Sequence, residues 1–114
     1  MTTPATAEGY EDAIALAERL LDEGRFDEAW AVCSTAVDSP SDDGRALHIA
    51  GIVEMRRGDT ERAVETLKKA ARQRSLDPAV HNSLGETLRL SGQLDTAEVH
   101  LRFAVHLDLS LIHI

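Results

Sequence analysis

Leu84-Gly85-Glu-Thr-Leu-Arg-Leu-Ser-Gly92-Gln-Leu94-Asp-Thr-Ala97 is the stretch that decides the fold of this 114-residue chain. Thirty-four residues upstream the same skeleton reads Ala50-Gly51, Gly58 and Ala63. Thirty-four further upstream it reads Leu16-Ala17, Gly24 and Ala29. A fourth column, Ala36, Ala70 and Ala104, keeps the same step. A fixed period of this length signals a stacked-repeat architecture, in which each unit buries its apolar face only against its neighbours.

Each period reads as a helical hairpin. Ile14, Leu16, Ala17, Leu20 and Leu21 recur at helical spacing, and Gly24 then provides the left-handed position at which helices end. A second helix runs through Ala29, Val32, Cys33, Ala36 and Val37 towards Ser39-Pro40. The middle unit repeats this on either side of Gly58 and the last on either side of Gly92. Asp77-Pro78 marks a helix start, a capping carboxylate followed by proline at the first helical position. Six helices of about a dozen residues are expected. Where Gly51, Gly85 and Ala17 stand, the two helices of a hairpin are expected to cross closely, against the small surface of Ala29, Ala63 and Ala97.

The pattern from Leu84-Gly85 to Ala97 resembles the tetratricopeptide repeat. That resemblance implies an all-α, right-handed solenoid of three helix–turn–helix units at residues 10–43, 44–77 and 78–108, preceded by a disordered tail over residues 1–9. Two positions depart from the family pattern. The large residue early in the first helix is Ala13, Leu47 or His81, and the closing proline is replaced by Ser41 and Ser75.

Composition narrows the function classes. Aromatic residues make up only 4 % of the chain, so the core is built from aliphatic and small side chains. The net charge of −8 argues against a nucleic-acid backbone as partner. That charge is uneven, being −9 over residues 1–43, +3 over residues 44–77 and −2 over the rest. No apolar run reaches membrane-spanning length and the N-terminal residues lack the features of a signal peptide, so a cytoplasmic protein is expected. Ten arginines to two lysines fit a GC-rich bacterial gene.

The hexapeptide Leu109-Ser-Leu-Ile-His-Ile114 does not fit the register. It resembles the translated end of a sequencing adapter, so it is expected to be non-native and the chain to be a fragment of a longer protein. The end of the third repeat, with Leu101, Phe103 and Val105, would then lack a covering helix and stand open to self-association.

No residues form a catalytic constellation, a cofactor loop or a metal-ligand spacing, so no enzyme activity, cofactor or metal is expected. His81 sits in a packing column, Cys33 shares its column with Leu67 and Leu101, and Trp30 reads as partly buried packing. By resemblance, the first helix of each unit lines a concave groove that receives a peptide or partner protein. Register places Glu11, Ile14, Glu18 and Leu21 there, then Arg45, His48, Ile52, Met55 and Arg56, then Asn82, Glu86 and Arg89. Ile52 and Met55 would form an apolar floor, with Arg45, Arg56 and Arg89 pairing with acids. The clamp of chaperone-tail receptors is absent, its places being Ile14, Glu18, Ile49, Ala79 and Ser83. So is the asparagine ladder of sugar-transferase repeats, whose column reads Ala15, Ile49 and Ser83. Two classes stay open: an interaction scaffold, or the N-terminal arm of a larger methyl-, glycosyl- or sulfotransferase.

Overall fold

A computed structural model describes residues 6–110, with Ser110 described for its backbone alone. Six helices follow one another: α1 (Ala7–Asp22), α2 (Phe26–Ala36), α3 (Arg45–Arg56), α4 (Thr60–Gln73), α5 (Pro78–Leu90) and α6 (Leu94–Ser110). Among the described residues there is no strand. Three departures from the sequence expectation stand out. The first helix begins at Ala7, inside the stretch expected to be a disordered tail, because Thr6 caps it by accepting the N–H of Gly9 at 2.9 Å. Residues 1–5 of that expected tail lie outside the described residues.

The second departure is that α2 stops at Ala36, short of Ser39-Pro40. Two successive turns follow, with Ser39 N–H to Ala36 and Asp42 N–H to Ser39. They deliver Asp42 to the start of α3, where its carboxylate accepts the N–H of Gly44 at 3.1 Å. Third, α6 continues through Leu109 and Ser110, past the expected boundary at Asp108. Residues 111–114, most of the hexapeptide, lie outside the described residues.

The repeat is visible in the backbone. Gly24, Gly58 and Gly92 all have positive φ, at 75°, 89° and 84°, a region costly for any residue with a Cβ. The residue after each donates back to the preceding helix: Arg25 to Leu20, Asp59 to Glu54 and Gln93 to Leu88. The first bond of the following helix is likewise the same in each unit, from Ala29, Ala63 and Ala97. Each turn therefore closes its helix with the same hydrogen bonds and starts the next in the same register.

Within a hairpin, the crossing point is set by glycine. A Cβ on Gly51 would lie 2.5 Å from Cγ of Leu67, and one on Gly85 would lie 2.7 Å from Cγ of Leu101 and 3.2 Å from the carbonyl oxygen of Ala97. The leucine of the second helix thus sits directly over the glycine of the first. The alanine column is buried beside it, at Ala29, Ala63 and Ala97.

Hairpins stack with α2 against α3 and α4 against α5, and α1 also meets α3 while α3 meets α5. By contrast α2 does not reach α4, nor α4 α6. The first helices are therefore crowded together on the inside of a curve and the second helices splay on its outside. One buried cluster joins α1, α2 and α3 through Tyr10, Ile14, Leu20, Cys33, Ile49 and Val53. A second joins α4, α5 and α6 through Val64, Leu67, Leu84, Leu88 and Ala97. Cys33 is fully buried, and burial pushes its thiol up to about 12, with the negative charge of Glu54 adding to the shift. At the far end Leu94, Val99, Val105 and Leu109 remain exposed; the counterpart of Val105 on α4, Ala71, packs against the core cluster shared with α5.

Two side-chain joints lock the ends. Tyr10 is buried, donates its hydroxyl hydrogen to Asp42 at 2.6 Å and accepts the N–H of Ala46 at 3.3 Å, fastening α1 to the start of α3. In the last unit His81 is buried and its Nε2 donates to the carbonyl of Ser75 at 2.7 Å. A neutral His81 then accepts at Nδ1, so Nδ1 of His100, 3.2 Å away, carries the hydrogen. Phe103 packs edge-on to His81, with ring centroids 4.7 Å apart.

Replacing Gly85 by leucine should overpack the crossing and destabilise the chain by about 1–3 kcal/mol in denaturant titration. An unchanged unfolding midpoint would rule out the close crossing. Tyr10→Phe, which leaves the N–H of Ala46 and the carboxylate of Asp42 without the hydroxyl, should cost about 1–2 kcal/mol by the same measurement. Acid should destabilise the fold as well. Desolvation lowers the basicity of His48 and His100, reinforced at His100 by His81 and then Lys68. Groups whose folded pKa is depressed bind more protons when unfolded. Their stability is therefore full above the ordinary imidazole range, near 6.5, and is lost as pH falls through the lower folded values. The melting temperature should fall between pH 7.5 and 5, less steeply in His100→Leu.

Candidate functional site: the concave face

The inner surface is built from α1, α3 and α5, and polar side chains tie the three together. Arg45, near the start of α3, reaches back 34 residues to Glu11 on α1 with Nη1 to Oε2 at 2.9 Å. Its Nε also meets the carboxylate of Asp43 at 2.9 Å, and its guanidinium lies 5.2 Å from the ring centre of Tyr10. Arg45 holds the Glu11 carboxyl below the usual carboxylate range, chiefly through its hydrogen bond. On the next interface His48 Nε2 lies 2.8 Å from the hydroxyl of Ser83. One turn on, the Thr87 hydroxyl stands 3.0 Å from the sulfur of Met55 and 2.7 Å from the carbonyl of Ser83.

The register candidates distribute along this surface as follows. Arg45, His48, Ile52, Met55 and Glu86 are partly buried, and Arg56, Asn82 and Arg89 are exposed. Ile52 and Met55 form a half-covered apolar strip along α3, with Arg56 open to solvent beside it. Two further expectations are corrected. Ile14 belongs to the core at 3 % exposure and cannot line a groove, since its side chain packs into the cluster of α1, α2 and α3. Arg45 and Arg89 do not stand ready for a partner's acids: the first is held by Glu11 and Asp43, and the second by Glu86 at 2.8 Å. Arg89 also lies at the margin of the face, where with Leu94, Leu101 and Val105 it borders a hollow of about 430 Å3 on the exposed end of α6.

Ser83 and Thr87 escaped the sequence reading as groove residues. The signal for Ser83 was present: it lies 35 residues from His48, one step beyond the repeat, which places the two on facing turns of adjacent equivalent helices. A serine hydroxyl at 2.8 Å from an imidazole nitrogen has the geometry of a nucleophile and its base. Here it acts as a tie. Ser83 sits mid-helix, where backbone N–H groups are consumed by the helix and cannot form an oxyanion hole, and the charge of Asp77 reaches His48 without a hydrogen bond. Among the described residues no group of three or more His, Cys, Asp or Glu side chains could hold a metal ion. Nor is any described helix long and apolar enough to cross a membrane.

Comparison with known proteins agrees with this architecture. A tetratricopeptide-repeat family model matches residues 13–32 and 78–102. No curated protein sequence matches the chain. Among solved structures, the Yersinia enterocolitica type III secretion translocator chaperone SycD superposes with a TM-score of 0.81 at 22 % identity, over 90 % of this chain and 77 % of that one. PcrH, solved in complex with the chaperone-binding region of PopB, superposes with a TM-score of 0.84 at 21 % identity, over 92 % and 85 % of the two chains. A MamA RS-1 double mutant gives a TM-score of 0.79 at 20 % identity, over 90 % of this chain and 57 % of its own. The chain has a tetratricopeptide-like helical-repeat fold.

Arg45 should act as the joint between the first two hairpins. Arg45→Ala ought to raise amide exchange at the start of α3 and in the first turn of α1 while leaving α5 and α6 unaffected. Uniform exchange along the chain in the variant would show that the contact is a surface ion pair with no such role.

Proposed function

We propose that this chain is a non-catalytic scaffold that binds a peptide segment of a partner protein on the face formed by α1, α3 and α5. The observation that carries the reading is the strip of Ile52 and Met55, half-covered and framed by Arg45, Arg56, Asn82 and Glu86. Apolar anchors in a polar frame suit an extended or helical segment, whose side chains supply affinity at the strip and register at the rim. Arg56 is the cation best placed to meet an acidic residue on the partner, because Arg45 and Arg89 are already engaged. Two relatives of the same fold support the reading. PcrH was solved with the chaperone-binding region of PopB, and SycD with a peptide of the translocator YopD. Nothing in the described residues favours the alternative of a docking arm for a transferase.

Crosslinking followed by pull-down from source-cell extract tests the assignment. Ile52→Asp with Arg56→Glu should remove the partners that the parent chain recovers, while circular dichroism stays unchanged. Recovery of the same partners by both chains would take the site off this face.

A further inference from the structure

On the outer side of the curve the gap between α2 and α4 is a cleft of about 510 Å3 floored by α3. Trp30 of α2 and Val37, just past its end, form one wall and Leu47 and Ala50 of α3 the floor, where Glu54 also opens onto the space. The 34-residue register makes Glu54 anomalous. Its counterparts are Leu20 and Leu88, both in the core, and Glu54 is as buried as they are, at 4 % exposure. Its Oε2 has a long 3.5 Å contact to Nε of Arg62, a side chain three-quarters exposed. Its Oε1 is buried and has no hydrogen-bond partner.

Buried polar atoms in proteins nearly always find a partner, and a carboxylate taken from water is costly unless it is well paired. A leucine would avoid that penalty, and the fold accepts leucine at this column twice. The carboxylate is therefore kept for something the fold itself does not supply. We propose that the cleft is a second recognition site, one that takes an arginine or lysine side chain from a basic peptide segment. The aliphatic stem would lie along Trp30 and Leu47 while the charged head meets Glu54 and displaces Arg62 into solvent. Such side chains are apolar along their stems and cationic at the tip, which matches walls of this kind over an acidic floor. Trp30 adds an indole, the ring best suited to hold a cation. Three carboxylates, Glu54, Glu61 and Glu65, line the cleft against two cations, Arg62 and Lys69, and that acidic balance favours a basic segment over an acidic one.

The site lies on the opposite side of α3 from the concave face, so it does not rest on the peptide-groove reading. Trp30 is the one tryptophan in the sequence, so its fluorescence reports on the cleft alone. The full chain would be titrated with an acetylated, amidated Gly-Leu-Arg-Leu-Gly peptide. A twin carrying neutral citrulline in place of arginine, and free spermidine, would be run beside it. The arginine peptide should give a saturable change that is at least tenfold weaker with the citrulline twin. Glu54→Leu and Glu54→Gln should each weaken it at least tenfold, and Glu54→Leu should melt at or above the parent temperature. Equal affinity for the citrulline peptide, or equal affinity in Glu54→Leu, would overturn the proposal. So would spermidine binding as tightly as the peptide, which would reassign the cleft to free amines. A Glu54→Leu chain melting well below the parent would make Glu54 a structural ion-pair residue and overturn it too.

Discussion

Where α3 crosses α4 and α5 crosses α6, a leucine lies on a bare backbone position, and the spacing of every other part is measured from there. A Cβ on Gly51 or Gly85 would come within 2.7 Å of Leu67 or Leu101, far inside van der Waals contact, so the helices approach as closely as they do only because that atom is missing. The close approach buries Leu67 completely, and covering a leucine side chain is worth roughly 1.5–3 kcal/mol. It also fixes the tilt of each hairpin. Three hairpins joined by turns with the same hydrogen bonds then stack in one curve.

The curve divides the molecule chemically. On its inner side the first helices are close enough for side-chain hydrogen bonds, and Glu11–Arg45, His48–Ser83 and Met55–Thr87 connect them in sequence. On its outer side the second helices stand apart, leaving open a cleft whose acidic floor contrasts with the mixed, arginine-framed inner face. One helix, α3, therefore serves both surfaces: Ile52 and Met55 face one, Ala50 and Glu54 the other.

The architecture was legible because the repeat is encoded in backbone requirements. Glycine at a positive φ and glycine under a leucine admit few substitutes, so those columns are the ones a reader sees. What the columns could not give was the state of each charge. Arg45 and Arg56 look alike in sequence, yet the first is held by Glu11 and Asp43 and the second stands in solvent, because Asp43 is delivered by a loop whose path the repeat does not dictate. Ile14 looked like a groove residue because it shares its register column with His48 and Asn82, yet its apolar side chain packs into the cluster of α1, α2 and α3 while theirs stay at or near the surface. The register did contain one clue that went unread. Leucine, glutamate and leucine at positions 20, 54 and 88 is a broken packing column, a carboxylate where its two equivalents are core leucines.

Because the hydrogen bonds Glu11–Arg45, His48–Ser83 and Met55–Thr87 lie along the inner side, the solenoid resembles a book whose spine runs beneath the groove and whose leaves are the hairpins. Bending about that spine alters the two surfaces in opposite senses. Spreading the leaves α2 and α4 narrows the inner channel, and bringing them together widens it. An object wedged between those leaves would therefore change the width offered to whatever lies along the spine, with no contact passing from one to the other. The hydrogen bonds on the inner side are the fulcrum, and their stiffness sets how far such a lever carries.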